Sequence, residues 1–179
     1  MEQAEIPVLK KVKELNDALS SCSIVVGWMD ENGSLQTARS NLRYRELTGR
    51  KTNAIAKEPS RALIAATLNY GREAGTTLGG RSYPAIPARP FMKFAAEIFE
   101  TVFPKEMRRV MPMYLSGKLS VDGVLKSIGE RAKESVQEAI RTGDYAPLSE
   151  RTIAAKGSST PLIDTGKMVD SVSFEIRRE

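Results

Sequence analysis

The sequence predicts an α+β fold: a small antiparallel sheet packed against several helices, with long loop or arm segments. Three observations carry that expectation. Two stretches, "RPFMKFAAEIFETVF" and "SVDGVLKSIGERAKESVQEAI", repeat apolar residues at helical spacing over several turns. Two short stretches far apart in the chain, Ser23–Trp28 and "DSVSFEIRR", have the composition or the alternation of strands. Two segments, 36–58 and 69–89, show no period at all. A chain of 179 residues is read as one domain, 1–179, which buries roughly 70% of its unfolded surface and needs no disulfide or metal to fold.

The elements follow in order. Residues 6–20 carry Val8, Val12, Leu15 and Leu19 on one helical stripe, with Lys10, Lys11, Lys13 and Glu14 off it. Ser23–Trp28 is a strand, and Asp30–Gly33 is a turn signal after it. Residues 36–58 read as a basic loop or arm insertion. Pro59 opens a short helix, "SRALIAATLNYG", that Gly71 closes. Gly71, Gly75, Gly79, Gly80, Pro84 and Pro87 then make regular structure improbable across the loop 69–89. Phe91, Phe94, Ala95, Ile98, Phe99 and Val102 define an amphipathic helix entered by Pro90 and stopped by Pro104. "MRRVMPMYLSG" continues as helix, broken or kinked near Pro112.

Ser120 caps what reads as the longest helix, Val121 to Thr142, with its apolar stripe from Val121 to Ile140 and Gly143 at its end. A short helix follows between a Ser149 cap and a Gly157 stop. Val172, Phe174 and Ile176 alternate with polar residues in a last, half-buried strand.

Charge and composition narrow the chemistry. The chain has a net charge of +5 and no histidine. Between Gln36 and Ala62, seven cations stand against two anions, an excess of five that equals that of the whole chain. Arg39, Arg43, Arg45, Arg50 and Lys51 are therefore the candidates for contact with DNA or an acidic partner. Without histidine there is no His base, no Ser/His or Cys/His pair and no His metal ligand. With one cysteine, Cys22, the usual structural zinc sites are excluded and a reducing compartment is expected. No apolar run approaches the ~18 residues of a membrane helix, and the first residues lack a signal-peptide core, so a soluble cytoplasmic protein is expected.

"LIDTG", Leu162–Gly166, reads like the catalytic loop of an aspartic protease. That chemistry needs two carboxylates sharing a proton, and a β-domain built after the loop. Only a short tail follows Gly166 here, and Lys167 would favour two ionised carboxylates over a shared proton. A structural turn is the better reading, with Asp164 or Thr165 capping Gly166–Asp170 and Leu162 and Ile163 anchored in the core. "GTTLGGRS" lacks the Lys-Ser/Thr ending of a phosphate loop. Glu130, Glu134 and Glu138 share a helix face with basic residues nearby and read as solvated. Trp28 is expected in the core or at the rim of its strand.

The order of several pieces is more specific than any one of them. "IPARPFM" supplies Pro87, Arg89, Pro90 and Phe91, and the helix Val121 to Thr142, with "LKSIGERAKESVQEAI", supplies Ile128 and Gly129. "APLSERTIAAKGSSTPLIDTGKMVDSV" adds Pro147, Leu148, Thr152, Lys156, Gly157, Pro161, Leu162, Asp164, Thr165, Gly166 and Ser171. This series resembles the virion-morphogenesis, or tail-completion and neck, family of long-tailed phages and Mu-like prophages. The likeness covers residues 60–177 and extends more weakly to Ile24–Gly27 and "AATLNYG". Members of that family often carry Glu where this chain has Asn69, and segment 36–58 has no obvious counterpart.

The resemblance implies a structural virion protein without catalysis or cofactor, in which Asp-Thr-Gly is a structural turn. It implies a homo-oligomeric ring, sixfold or twelvefold, at the head–tail junction or the top of the tail, assembled in the bacterial host cytoplasm. Its partners would be other neck and tail proteins, and DNA in the channel is a further possible contact. Segments 36–58 and 69–89 are the candidates for reaching a neighbour. The alternative is a basic nucleic-acid-binding protein without catalytic activity.

Overall fold

The computed structural model describes residues 7–29, 60–77, 80 and 82–178. The basic segment 36–58, with Arg39, Arg43, Arg45, Arg50 and Lys51, lies outside them. The described elements are α1 (Pro7–Ser20), β1 (Cys22–Gly27), α2 (Arg61–Tyr70), β2 (Gly75–Thr76) and β3 (Ser82–Tyr83). They continue with α3 (Phe91–Leu115), α4 (Val121–Thr142), α5 (Glu150–Lys156), α6 (Lys167–Asp170) and β4 (Ser173–Arg178). The fold is α+β. β1 pairs antiparallel with β4, from Cys22 opposite Arg178 to Gly27 opposite Ser173. No helix among the described residues is long and apolar enough to cross a membrane.

The frame is the antiparallel pair α3–α4. α3 does not stop at Pro104: it runs for 25 residues through Pro104 and Pro112, and it is longer than the 22-residue α4. Each interior proline removes a backbone hydrogen bond and costs about 3 kcal/mol. The burial of Val110 and Tyr114 against α4 and α1 works against that cost, and only a continuous helix aligns them with Glu106 on one face. α4 has the expected bounds, with the Ser120 hydroxyl accepting from the Gly123 N–H at 3.2 Å. β4 lies so close over α4 that a side chain at Gly129 would collide with the Phe174 ring.

Two apolar clusters lie along this frame. One gathers Phe91, Val136, Ala139 and Ile140 with Trp28, Leu162, Met168 and Val172. The other, near the C-terminal end of α3, holds Val110, Tyr114, Val124 and Ile128 with Leu15.

α1 departs from its expected packing. Of its stripe only Leu15 is buried, while Val8, Val12 and Leu19 stay 38–49% exposed. The helix docks on a neighbouring face instead. Lys11 Nζ donates to the carbonyls of Tyr114 and Leu115 at 3.2 and 3.0 Å, and the Tyr114 hydroxyl donates to the Lys11 carbonyl at 2.8 Å. Those two carbonyls belong to the last turn of α3, where helical partners run out; that of Tyr114 also accepts from the Gly117 N–H at 2.9 Å. Capping them with an ammonium also suits the negative end of the helix dipole.

Ser60 is the N-cap of α2, its hydroxyl accepting from the Leu63 N–H at 3.2 Å, and Pro59 lies outside the described residues. One further expectation is corrected. The loop 69–89 is not without regular structure: β2 and β3 pair, and Arg72 and Ile86 exchange backbone hydrogen bonds of 2.8 and 2.7 Å. The Arg72 guanidinium stacks 4.2 Å from the centre of the Tyr83 ring.

Glu106 is 3% exposed between α3 and α4. It accepts from Arg109 at 3.1 and 2.5 Å, from Arg131 at 3.1 Å and from the Ser127 hydroxyl. The Arg109 hydrogen bond leads in pulling its carboxyl down to about 2, against the opposing effect of burial. A depressed carboxyl contributes stability above its unfolded value of 4.5, and that contribution is lost as pH falls from there toward 2. Chemical unfolding from pH 7 to 2 should therefore show wild type more stable than Glu106→Gln above pH 4.5, with the gap closing by about 2–3 kcal/mol on acidification.

Candidate functional site

Several of the residues singled out in the sequence gather at the entry to α3. Its first residue, Phe91, is fully buried, and its ring meets Trp28 edge-on at 5.7 Å. The Trp28 indole N–H donates to the Met168 carbonyl at 2.6 Å, which ties β1 to the segment after Gly166. Pro90 occupies the N-cap position and offers no side-chain acceptor. Asn69, from the end of α2, takes over: its Oδ1 accepts from the Met92 N–H at 3.1 Å. A buried first-turn N–H needs such a partner.

Arg89 sits just before this turn and is 4% exposed. Its backbone N–H donates to the Leu68 carbonyl at 2.9 Å. Its Nε donates to the Ala146 carbonyl at 3.1 Å, with a longer contact of 3.5 Å from Nη2 to the Pro147 carbonyl. Burial lowers its pKa, and no carboxylate among the described residues lies within ion-pair distance to oppose that. Arg89 thus fastens the chain after α4 to the entry of α3 while leaving its own charge uncompensated.

Around Arg89 is a cleft of about 410 Å³. Leu68 from α2 forms one side, and Leu148 with Thr152, Ala155 and Lys156 of α5 forms the other. Leu162 and Asp164 complete it. Arg89, Lys156, Leu162 and Asp164, all candidates on sequence, therefore meet at one place. Gly157 is left-handed (φ 73°) and turns the chain after α5, and the Lys156 ammonium donates to the Thr160 carbonyl across that turn. Leu162 adopts φ 62°, the one positive value at a non-glycine among the described residues. That conformation costs a branched side chain about 1–2 kcal/mol, and burial of Leu162 in the core stabilises it by a similar amount.

Other candidates lie elsewhere. Pro87, Pro90 and Phe91 lead into α3, and Gly129 is under the sheet. Thr165 and Gly166 belong to the turn into α6. The expected cap there is not formed: Asp164 and Thr165 are exposed, and Gly166 itself is the N-cap, left-handed at φ 77°, with no side-chain hydrogen bond. Leu162 and Ile163 do anchor the loop as expected. Sequence reasoning missed Leu68 and Ala155, which join the cleft only through folding. It also missed Glu106, whose place four residues before Val110 and eight before Tyr114 puts a carboxylate on a buried helical face.

Comparison with known protein families, with curated proteins and with solved structures found no match to this chain.

Two substitutions separate the roles in this region. Arg89→Lys replaces a planar fork by a single ammonium that cannot keep both carbonyl contacts, and urea unfolding should show a loss of about 1–2 kcal/mol. Asp164→Ala removes an exposed side chain that caps nothing, and the same measurement should find it within about 0.5 kcal/mol of wild type.

Proposed function

We propose that this chain is a structural virion protein of the neck or tail-completion type, forming a ring at the head–tail junction or the top of the tail during virion assembly. One observation supports this reading above the rest. Arg89, Leu148, Thr152, Lys156, Leu162 and Asp164 belong to the ordered series that resembles that phage family, and all six line one cleft. Their spacing along the chain corresponds to a single three-dimensional arrangement.

The general shape of the surface suits assembly. A ring subunit needs two different complementary faces. Here the Arg89 cleft lies by the start of α3, while the exposed Val8, Val12 and Leu19 of α1 lie by its end. The described site chemistry also fits a binding part: Arg89 and Lys156 are each held by backbone carbonyls rather than by a group they could activate.

The excess of cations in 36–62 supports a second reading as a nucleic-acid-binding protein, either in place of the ring or as its contact with channel DNA. Binding of that kind weakens steeply with salt, because each phosphate contact releases counterions.

Electron microscopy of a lysate from a phage carrying a stop codon in this gene tests the proposal. Filled heads with separate tails, or tails of abnormal length, are the expected outcomes. Normal infectious particles would remove the virion role, and salt-sensitive DNA binding by the purified chain would then favour the second reading.

A further inference from the structure

The Arg89 cleft has an unusual balance of groups for a surface depression. Arg89 is 4% exposed and faces no carboxylate within ion-pair distance among the described residues. Lys156 stands on the same wall, and Asp164 is the single acidic residue lining the cleft. Two cations against one anion leave one positive charge, which one carboxylate would neutralise. A phosphate dianion fits less well, because Asp164 repels it. Leu68, Leu148 and Leu162 offer apolar surface beside the charge, so the matching ligand is a carboxylate next to apolar side chains.

The chain contains such a segment. Residues 1–6, Met-Glu-Gln-Ala-Glu-Ile, carry Glu2 and Glu5, no cationic side chain, and apolar Met1, Ala4 and Ile6. The other long segment outside the described residues, 30–59, has an excess of cations and the same sign as the cleft. We propose that the Arg89 cleft takes residues 1–6 of a second copy of this chain, with a glutamate carboxylate at Arg89 and Lys156 and a neighbouring apolar side chain against Leu68, Leu148 and Leu162.

Distance makes the contact intermolecular. Lys11 is fastened to the last carbonyls of α3, and Arg89 precedes the first residue of that helix. A helix of 25 residues is roughly 37 Å long, whereas six extended residues span about 20 Å. The segment ahead of Pro7 therefore falls short of the cleft in its own chain. A contact that joins one end of a subunit to the opposite end of the next is head-to-tail, the kind that closes rings. The inference deepens the ring reading by naming one joint, yet its test needs no virus particle, so either can fail without the other.

A fluorescein-labelled peptide of residues 1–6 titrated with the full chain tests it by fluorescence anisotropy. Saturable binding is expected, weakened about tenfold or more when both glutamates of the peptide become glutamine, and similarly in the Lys156→Glu chain. The peptide change leaves the protein fold untouched, so it decides the matter even where the chain variant is unstable. Absence of saturable binding, or binding indifferent to the loss of both carboxylates, overturns the proposal. So does displacement of the peptide by millimolar inorganic phosphate, which would make the cleft a general anion site.

Discussion

Backbone groups at the two ends of α3 have no partners within the helix, and side chains distant in sequence supply them. At the start, Asn69 accepts from the Met92 N–H where Pro90 cannot act as a cap. At the end, Lys11 donates to the carbonyls of Tyr114 and Leu115. Each leftover backbone group in a half-buried setting would cost about 1–3 kcal/mol. Satisfying them fixes α2 and α1 on the frame at the same time. Arg89 uses the same principle once more, holding the carbonyls that follow α4. The positions of α1 and α2 thus follow from hydrogen bonds made at the two ends of α3, and Arg89 holds the segment leading to α5 through carbonyls of the loop itself.

The midpoint of the frame depends on a different kind of contact. Glu106 is buried with two arginines and a serine around it, so a charge is taken from water and its acceptor sites are filled. Breaking one partner of such a cluster leaves a buried charge with its desolvation cost, whereas the intact cluster is about as favourable as apolar residues of the same shape. Its larger effect is on geometry. It holds α3 and α4 in one register, and that register places Gly129 under Phe174.

Much of the fold could be read from residues that act locally. Ser120, Ser149 and Gly157 bound α4 and α5 as expected, and the two strands are where apolar alternation and β-rich composition put them. What failed depended on partners out of sequence reach. Pro104 and Pro112 are strong local stops, but burial along the far half of α3 outweighs them. The α1 stripe is genuine as a pattern, yet only its Leu15 is buried, and Lys11, off the stripe, makes the contact with the last carbonyls of α3. Gly71 and Gly75 suggested a loop without structure, and a cation–aromatic stack holds a hairpin there. For the cleft, Arg89, Lys156, Leu162 and Asp164 were individually recognisable, but nothing in their spacing says that α2 would bring Leu68 beside them.

The pairing of β1 with β4 has a consequence for the order in which the chain can fold. Gly27 and Ser173 are 146 residues apart, and among the described residues this sheet consists of these two strands. At synthesis rates of roughly 5–20 residues per second, β1 waits about 7–30 seconds for its partner. The α3–α4 pair, closed by a short connection, can form during that time with little loop-closure cost. The sheet is then the last piece added to a surface already built, and the β1 edge that β4 covers stays open until it arrives. A strand held in that state pairs with whatever edge it meets. Slow or stalled synthesis after α4 is the interval in which this protein is most exposed to misassembly.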